Sequence, residues 1–387
     1  MSYLEKLLDG VEVEWKRLED VLKIKNGKSY NTFGPGTIPV YGSGGIMTYI
    51  DTYAYDKPSV LIPRKGSIGN LFYVDLPFWT VDTIFWTEIN FNIVNPKFVY
   101  YYLLTQHLEE LNMAGGVPSL TQGVLNKVPF PIPCPGNPQK SLEIQQKIVD
   151  ILDRFTELTA ELTAELTARK KQYNYYREKL FNFQDHEVPY LPLGDERIGH
   201  FQRGKRFVKE DMVSEGVPCI HYGEMYTHYG PWADNSKSFV TKNLVDKKNL
   251  RVASKGDVIL VAAGETIKDL GRGTAWLGDE NVVIHDACFL YRTSLNPKYV
   301  AYFTRTKQFH NQIKKHISSG KISAINSNGL GKVLIPIPAP EVQQRIVSIL
   351  DRFDTITNSL TEGLPKEIEL RRKQYEYYRD QLLAFPK

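Results

Sequence analysis

Cysteine is scarce in this chain, and its scarcity excludes two kinds of small scaffold. The 387 residues include three cysteines, Cys134, Cys219 and Cys288, and no two of them form a CxxC motif. A disulfide framework or a structural zinc site therefore does not fit. A run of 18 apolar residues is also missing, so no membrane-spanning helix is predicted. The first residues, MSYLEKLLDG, are unlike a signal peptide, and we expect a soluble protein of the cytosol.

Signatures of catalysis are missing as well. The segment GHFQRGKR at 199–206 imitates a phosphate-binding loop, but Arg206 stands where a magnesium-binding hydroxyl is needed. The chain has no HExxH, no GxSxG and no adjacent prolines of the kind found in amino-methyltransferases. His221 and His228 are seven residues apart, a poor spacing for a shared zinc ion. We therefore predict no active site, and no metal ion or cofactor bound by this chain.

Charge and length leave the function open but favour more than one domain. The formal net charge is only +4, which permits nucleic-acid binding without demanding it, because local clustering of cations decides. A chain of 387 residues exceeds the size at which single hydrophobic cores stop growing, about 250 residues. Tyrosine is plentiful, with 23 residues, and suits cores, interfaces or base stacking.

An internal repeat is present. Each half, near 1–183 and 184–387, begins with a variable part and ends with a closely similar helix. The matching segments are NPKFVYYYL (95–103) with NPKYVAYFT (296–304), VPFPIP (128–133) with VLIPIP (333–338), IVDILDRF (148–155) with IVSILDRF (346–353), and RKKQYNYYREKLFNF (169–183) with RRKQYEYYRDQLLAF (371–385). Two similar helices behind two dissimilar modules indicate one scaffold role used twice and one recognition role that has diversified.

The repeated helices are long and carry apolar residues at steps of three and four, as a seam between helices requires. The first contains LTAELTAELTA at 158–168, and the two helices differ in length by one four-residue unit in this stretch. Such a unit is a stutter, which adds about 6 Å to a helix. Each helix of about 40 residues would reach about 60 Å. The two can lie antiparallel as a strut, with a break predicted near Gly363, before Pro365.

The two variable modules, 15–133 and 190–338, have mixed α/β character. Glycine-punctuated β-type segments precede a helix predicted at 95–113 in the first module and at 296–317 in the second. Loops of both modules carry arginine, which can fork onto guanine, lysine, which neutralises phosphate, and tyrosine. Taken alone, an Arg-Lys pair in a turn is more often solvated surface, and the tyrosines of IHYGEMYTHYG could equally be partly buried packing. The pattern recurs in corresponding loops of both halves, however, and this favours function. The DNA-binding candidates are Tyr41, Ser43, Arg64, Lys65, Ser67, Ser119, Thr121, His221, Tyr222, Tyr226, Tyr229, Lys268, Arg272 and Lys321.

The helical motifs carry a resemblance. LEIQQKIV at 142–149 and EVQQRIV at 341–347, each followed by ILDRF and a basic, tyrosine-rich run, resemble the specificity (S) subunits of type I restriction–modification systems, in the subgroup with TAEL repeats. The resemblance covers essentially the whole chain. It implies an α+β fold with a pseudo-twofold internal duplication, in which two mixed α/β target-recognition domains are joined by two long antiparallel coiled-coil helices. The implied divisions are target-recognition domains at 1–137 and 186–338, and spacer helices at 138–185 and 339–387.

The same resemblance implies the partners. Each module would read one half of a bipartite double-stranded DNA target in the major groove, and the helices would fix the gap between the halves. Two modification (M) subunits would supply S-adenosylmethionine and adenine methylation. Motor-nuclease (R) subunits would bring ATP, Mg and cleavage. Partner-subunit contacts are expected at glutamine, basic and tyrosine residues of the helices, namely Gln145, Gln146, Arg154, Lys171, Tyr175, Arg177, Gln343, Gln344, Arg352, Lys373, Tyr377 and Arg379.

Two other functions fit parts of the sequence. A self-contained DNA methyltransferase or nuclease with an unrecognised active site would have to bind S-adenosylmethionine or a metal ion by itself. A helical adaptor with no nucleic-acid partner would not depend on Arg64, Lys65, Lys268 or Arg272. The paired but dissimilar modules favour the DNA-reading scaffold over both alternatives.

Overall fold

A computed structural model of the chain describes residues 3–112, 118–183, 188–264, 266–320 and 322–386. The chain divides into two compact units, Met1–Thr163 with Glu367–Lys387, and Ala164–Lys366. Each unit combines one mixed α/β module with parts of both long helices. The helices are α1 (Tyr3–Leu8), α2 (Leu18–Val21), α3 (Pro96–Leu104), α4 (Gln122–Leu125), α5 (Pro138–Leu180), α6 (Glu224–Thr227), α7 (Lys242–Lys248), α8 (Pro297–Phe303), α9 (Lys307–Ile313), α10 (Ser327–Gly331), α11 (Pro340–Asn358) and α12 (Gly363–Leu383).

The first module is built from short strands in small sheets. Strands β2, β8, β5 and β6 form a sheet in that order, β3 pairs with both β4 and β7, and β1 pairs with β9. The buried strand β5 and helix α3 share a core with the first part of α5. The strands are β1 (Val13–Arg17), β2 (Leu22–Asn26), β3 (Pro35–Gly42), β4 (Gly45–Ile50), β5 (Ser59–Pro63), β6 (Phe72–Val74), β7 (Trp79–Thr80), β8 (Ile84–Ile89) and β9 (Pro129–Pro133).

The second module repeats this plan with additional strands. Its two larger sheets have the orders β11-β21-β17-β19-β14 and β12-β15-β13-β20-β16, while β10 pairs with β23 and β18 pairs with β22. The strands are β10 (Tyr190–Pro192), β11 (Gly199–Arg203), β12 (Met212–Val213), β13 (Val217–Ile220), β14 (Trp232–Ala233), β15 (Ser238–Val240), β16 (Val252–Ala253), β17 (Val258–Val261), β18 (Ala263–Gly264), β19 (Gly273–Trp276), β20 (Val282–Ile284), β21 (Cys288–Thr293), β22 (Ser323–Ala324) and β23 (Leu334–Pro336).

The duplication is present in the topology as well as in the sequence. The first and last strands of each module pair antiparallel, β1 with β9 and β10 with β23. The central order β2-β8-β5-β6 has its counterpart in β11-β21-β17-β19. In each module a helix that begins after Asn-Pro, α3 or α8, leads toward the closing loop. The predicted α+β fold with two mixed α/β modules is confirmed.

The two long helices differ in continuity. Helix α5 runs unbroken for 43 residues through the LTAE blocks and is about 65 Å long. The second helix is split into α11 and α12 by a turn at 359–362. Gly363 has a φ of 77°, and a Cβ there would collide with the carbonyl oxygen of Thr355. The predicted break near Gly363 is confirmed. Leu360 continues the apolar steps of the second helix in the sequence, but it lies in the turn and is 79% exposed.

Within each unit the two helices pack antiparallel. In the first unit Phe155 stacks on Tyr378, with ring centres 5.4 Å apart, while Ile148, nearer the start of α5, shares a core with Leu382, nearer the end of α12. In the second unit Tyr173 and Tyr176 of α5 stack on Phe353 of α11, at 6.1 and 5.5 Å. The apolar periodicity therefore predicts the seam correctly at these contacts.

The single helices predicted at 95–113 and 296–317 are shorter than expected. Helix α3 ends at Leu104, and in the second module α8 ends at Phe303 before α9 begins at Lys307. Threonine hydroxyls explain the interruption, because they bind backbone groups in place of the helical pattern. Thr304 Oγ1 accepts the amide of Gly273 (2.9 Å), and Thr306 Oγ1 accepts the amide of Phe309 (3.2 Å) and caps α9. In the first module a 3-10 helix, Leu108–Leu111, follows α3, and residue 113 lies outside the described residues.

Candidate nucleic-acid interface

In the first module, two loops are held edge to edge after β5. The amide of Leu120 donates to the carbonyl of Arg64 (2.9 Å), and Lys65 forms a β-bridge with Ser119. Gly66 follows with a φ of 77°, a left-handed conformation that favours glycine. The structure thus brings together three predicted DNA contacts, Arg64, Lys65 and Ser119, from distant parts of the sequence.

Other candidates of the first module surround these loops. A Cβ on Gly66 would lie 3.6 Å from the hydroxyl of Ser43, so the turn between β3 and β4 reaches the 64–67 loop. Lys65, Ser67 and Thr121 are exposed. The hydroxyl of Thr121 also accepts a backbone amide of α4 (3.4 Å), which fixes the start of that helix. Ser43 and the exposed side chains of Lys65, Ser67 and Thr121 therefore lie on or next to the two paired loops.

Two further candidates are oriented by aromatic packing. The Arg64 guanidinium lies 5.0 Å from the centre of the Phe85 ring, and its Nε is buried without a hydrogen-bond partner. The Tyr41 ring packs against Phe72 and Phe78 at 5.9 and 6.5 Å, and burial raises its pKa. Arg64 is therefore held in a defined direction, whereas Tyr41 supports the β3–β4 hairpin from its inner side.

The hairpin itself carries an exposed apolar edge that the sequence analysis missed. Ile46, Met47 and Tyr49 on β4 are 50%, 59% and 51% exposed. Met47 also lines, with Ser43, a shallow cavity of about 660 Å³. Exposed apolar side chains beside polar ones suit contact with thymine methyl groups in a major groove. The signal in the sequence was IMTYI (46–50) directly after a glycine pair, which indicates a hairpin tip with apolar residues on its outer face.

The second module has different residues at the corresponding edge. Strand β18 pairs with β22, and Ala263 is opposite Ala324 where the first module has Lys65 opposite Ser119. The hydroxyl of Tyr226 donates to the carbonyl of Ala263 (3.3 Å). The half-buried ring of Tyr222 lies 6.4 Å from that of Tyr226. This edge is therefore apolar and aromatic rather than cationic.

Two predicted DNA contacts of the second module are buried, and we no longer expect them to touch DNA. His221 is 7% exposed, and its ring lies 4.5 Å from that of His285. Burial, followed by the neighbouring His285, lowers the pKa of His221. Tyr229 is 5% exposed, and its hydroxyl accepts the amide of Lys237 (2.9 Å). The polar and aromatic segment IHYGEMYTHYG is typical of a surface loop. In the structure it contains the short helix α6, and the side chains of His221 and Tyr229 on either side of α6 face inward.

Lys268 and Arg272 lie farther along the loop that leaves β18, on the walls of a cleft against α5. The carbonyl of Lys268 is 3.1 Å from Nε2 of His310, and Nη1 of Arg272 is 3.7 Å from Asp269. Both therefore belong to a basic surface that extends from the loop after β18 to helix α5. The remaining candidate of this module, Lys321, lies outside the described residues.

Glutamines predicted to contact partner subunits instead attach each module to its helix. The side-chain oxygen of Gln145 accepts the amide of Asn95 (2.8 Å), and that of Gln146 accepts the side-chain amide of Asn95 (2.7 Å). In the second half Gln343 and Gln344 bind Asn296 in the same way, at 3.0 and 2.9 Å. Gln145 is fully buried and Gln343 is 4% exposed. Gln145 and Gln343 are therefore structural, and a partner contact is no longer expected of them. Gln146 and Gln344 are exposed, and a partner contact there stays a prediction.

An ion pair and a tyrosine complete this attachment, which we call the module clamp. Lys97 binds Asp153 (2.7 Å), and the hydroxyl of Tyr101 donates to the same carboxylate (2.6 Å). The second clamp repeats both contacts, with Lys298 and Tyr302 on Asp351 at 2.9 and 2.7 Å. The clamps are defined by Asn95, Lys97, Tyr101, Gln145, Gln146 and Asp153, and by Asn296, Lys298, Tyr302, Gln343, Gln344 and Asp351. Equal geometry in both halves fixes each module on its helix in the same way.

The other predicted partner contacts stay predictions. Arg177 and Arg379 are half-buried and lie over the rings of Tyr173 and Tyr375, at 5.4 and 5.8 Å. The remaining six side chains point to solvent, including the equivalent tyrosines at 60% and 62% exposure. They are Arg154, Lys171, Tyr175, Arg352, Lys373 and Tyr377. Pairs of exposed, sequence-equivalent residues suit two copies of one partner.

Among the residues that the structure describes, no group of three or more His, Cys, Asp or Glu side chains is arranged to hold a metal ion. The three cysteines form no disulfide. None of the helices within the described ranges has the length and apolar character that a membrane span needs.

The two modules share one central strand order, and each is clamped to a long helix. Their loop edges differ. Together they define a duplicated recognition scaffold. A family model for the type I restriction modification DNA specificity domain matches residues 10–169 and 193–370. The chain belongs to this family. The resemblance carried by the QQ(K/R)IV and ILDRF motifs is thereby confirmed.

Relatives of known description match the chain over nearly their full length. The EcoR124I/EcoR124II type I specificity subunit of Escherichia coli is 38% identical, over 100% of this chain and 98% of the relative. A putative type I specificity subunit of Haemophilus influenzae is 34% identical, over 99% and 98%. The crystal structure of a type I S subunit from M. genitalium, with 16% identity, covers 98% of this chain and 97% of its own with a TM-score of 0.58. At that identity the structural match supports the fold alone.

Proposed function

We propose that this chain is the DNA-reading specificity subunit of a type I restriction–modification complex. It recognises a bipartite double-stranded sequence through the major groove and directs adenine methylation and cleavage by partner subunits, catalysing neither step itself. Family membership and full-length relatives that are type I specificity subunits support this assignment. Action on bacterial DNA would place the complex in the cytoplasm.

The proposal rests mainly on one observation: the module clamp is the same in both halves, whereas the loop edges of the two modules differ in chemistry. Both clamps use the same bonds, with lengths that differ by at most 0.2 Å, so each module is held in one orientation. The loops at the far end of the modules differ in chemistry, Lys65 with Ser119 in one and Ala263 with Ala324 in the other. Rigid support combined with different contact chemistry is what reading two different half-sites requires.

Partner subunits supply the chemistry in this proposal. Two modification subunits, which bring S-adenosylmethionine, dock on sequence-equivalent helical surfaces that include Tyr175 and Tyr377. Motor-nuclease subunits join with ATP and Mg. The exposed pairs on α5 and α12 support two equivalent docking sites, because a duplicated surface can bind two copies of one protein.

Helix α5 sets the distance between the half-sites in this proposal, and the LTAE blocks make the chain similar to the TAEL-repeat subgroup. Each four-residue block contributes about 6 Å of helix. At about 3.4 Å for each base pair, this corresponds to one to two base pairs of gap. Linking two readers strengthens binding only when their separation matches the spacing of the half-sites.

Selection from random double-stranded DNA by the chain assembled with its modification subunits tests the function. We expect one enriched motif with two defined halves and a gap of fixed length. Arg64→Ala should relax only the first half, at a cost of about 1–3 kcal/mol if Arg64 forks onto a base. Lys57→Ala, an exposed lysine of the same module, is the matched control and should leave the motif intact. No enriched motif from the wild-type complex would contradict the proposal.

A further inference from the structure

A basic cleft in the second unit is left unexplained by base reading or by the clamps. It has a volume of about 1260 Å³ and lies where the end of α5 meets the loop after β18 and helix α9. Seven lysine and arginine side chains line it, against two carboxylates. Such an imbalance in one concave site creates a strongly positive local potential.

Three arginines in the cleft have buried nitrogen atoms without hydrogen-bond partners. They are Nε of Arg177, Nε of Arg272 and Nη2 of Arg305. Burial, followed by the cation of Arg272, lowers the pKa of Arg305, while Tyr173, Asp354 and Tyr302 act in the opposite direction. Buried N–H groups that are left unpaired cost free energy, and an anion that entered the cleft would satisfy them.

The two carboxylates offset only two of the seven cations, because Glu178 lies 3.8 Å from Arg177 and Asp269 pairs with Arg272. Glu178 accepts the backbone amide of Lys307 through both oxygens, at 2.9 and 3.1 Å, and so fixes α9 to α5. Asp269 accepts the hydroxyl of Thr266 and lies 3.7 Å from Arg272. The cleft is therefore held open in a defined shape with a surplus of positive charge.

Several basic residues of this cleft are not repeated in the first half of the sequence. Counting from Asn95 and Asn296, Leu104 and Gln106 stand at the positions of Arg305 and Lys307. On the helix, Gln381 stands at the position of Lys179. Under the proposed function, two identical modification subunits need the same docking surface twice. Tyr175, which lines the cleft, belongs to that repeated surface, whereas Arg305 and Lys307 do not recur in the first half. Basic side chains that occur in one half only suit a partner that contacts the two halves in different ways. Double-stranded DNA with two different half-sites is such a partner.

Position also favours DNA over an acidic protein segment. The carbonyl of Ala263 on the reading edge accepts Tyr226, and the same loop continues through Lys268 to Arg272 on the cleft wall. The cleft is therefore continuous with the loop that faces the bases. Arginine forks and lysine point charges are the groups that bind phosphate oxygens.

We infer that this cleft binds backbone phosphates of the DNA that flanks the second half-site. This inference rests on the proposed function and deepens it. The cleft adds affinity without sequence information, so it positions the second module on the duplex while the Ala263–Ala324 edge reads bases. DNA beyond the second half-site is then contacted more extensively than DNA beyond the first.

The test uses two exposed lysines of the cleft, in the complex with modification subunits. Lys307→Gln with Lys314→Gln should lower affinity for both the selected site and unrelated duplex, by about eightfold at 0.1 M salt for each phosphate interaction that is removed. The slope of log affinity against log salt should become less steep by about 0.9 for each such interaction. Lys242→Gln with Lys247→Gln, two exposed lysines of α7, is the matched control and should leave the slope at the wild-type value. The selected sequence should be unchanged in both.

Two results would overturn the inference. One is a salt slope for the cleft variant equal to that of the α7 control. The other is an unchanged slope with weaker assembly with modification subunits in the absence of DNA, which would assign the cleft to an acidic protein segment. Failure of the proposed function is a separate outcome, because then the wild-type complex itself would select no site.

Discussion

The clamp in the second half predicts a large and local loss of stability when Asp351 is replaced by alanine. The carboxylate of Asp351 accepts the hydroxyl of Tyr302, which is fully buried, and pairs with Lys298, whose side chain is 18% exposed. Removing the carboxylate leaves a buried hydroxyl unpaired, at about 1–3 kcal/mol, and removes a charged hydrogen bond of about 1.5 kcal/mol or more. We expect a total near 3 kcal/mol. Asp351→Asn keeps an acceptor for Tyr302 and should cost about 1 kcal/mol.

Hydrogen exchange measures this effect where it occurs. The chain has two units, so a single global unfolding free energy is not well defined. Amides of α8 at Pro297–Phe303 should exchange about 100-fold faster or more in Asp351→Ala, since 1.4 kcal/mol corresponds to a factor of ten. Amides of α3 at Pro96–Leu104, on the other clamp, serve as the internal control and should keep their wild-type rates.

A second substitution separates the unpaired hydroxyl from the broken ion pair. Tyr302→Phe added to Asp351→Ala removes the orphaned hydroxyl and should recover about 1–2 kcal/mol. In the first half Asp153→Ala should cost less than Asp351→Ala, because the side chain of Lys97 is 37% exposed and its ion pair is better solvated. Equal exchange rates in Asp351→Ala and Asp351→Asn, or no rescue by Tyr302→Phe, would refute this account of the clamp.

Three more predictions concern the spacer, the helix break and pH. Deleting Leu162–Glu165 should shorten the gap of the selected motif by one to two base pairs and leave both half-sites unchanged, as sequencing of selected DNA would show; a changed half-site would argue against a pure spacer. Gly363→Ala should lower the melting temperature more than Gly256→Ala, because both glycines have a positive φ but a Cβ collides with backbone only at Gly363; equal losses would mean that the collision relaxes. Burial lowers the pKa of His221 and His285, so the unfolded state takes up protons first as the pH falls. The stability contributed by these histidines is fully present above the unfolded pKa of about 6.5 and falls as the pH drops below it. Melting temperatures between pH 7.5 and 5.5 should show this slope, and His221→Gln with His285→Gln should flatten it.

Periodic and repeated features of the sequence predict the scaffold well. The apolar seam from Ile144 to Phe155, the duplication and the break near Gly363 follow from helical spacing, self-similarity and the conformational demands of glycine and proline. These signals are local, and no tertiary contact overrides them. The seam prediction fails at Leu360, where the turn required by Gly363 replaces the helix.

Side-chain direction is what the sequence could not supply. Gln145 and Gln343 lie on helices beside exposed residues, and only the packing of the Asn-Pro turn against them shows that they face inward. His221 and Tyr229 share a polar, aromatic segment with exposed neighbours, but the inward turn at α6 depends on contacts with distant strands. Burial of this kind is set by tertiary contacts rather than by spacing.

The basic cleft had a signal in the sequence that composition alone concealed. The segments LLTQHLEEL at 103–111 and TRTKQFHNQ at 304–312 occupy equivalent positions in the repeat but differ in charge. A comparison of the two halves position by position would have singled out Arg305 and Lys307. The convergence of these cations with Arg177 and Arg272 depends on the meeting of α5, α9 and the β18 loop.

The central claim is that this chain reads two half-sites at a fixed distance and directs methylation to them. Mapping every methylated adenine in DNA modified by the assembled complex tests it most directly. The account predicts methylation confined to one bipartite motif, with a gap of constant length that contracts by one to two base pairs when Leu162–Glu165 is deleted. Methylation at a single uninterrupted motif, or a gap that does not respond to the deletion, would contradict it.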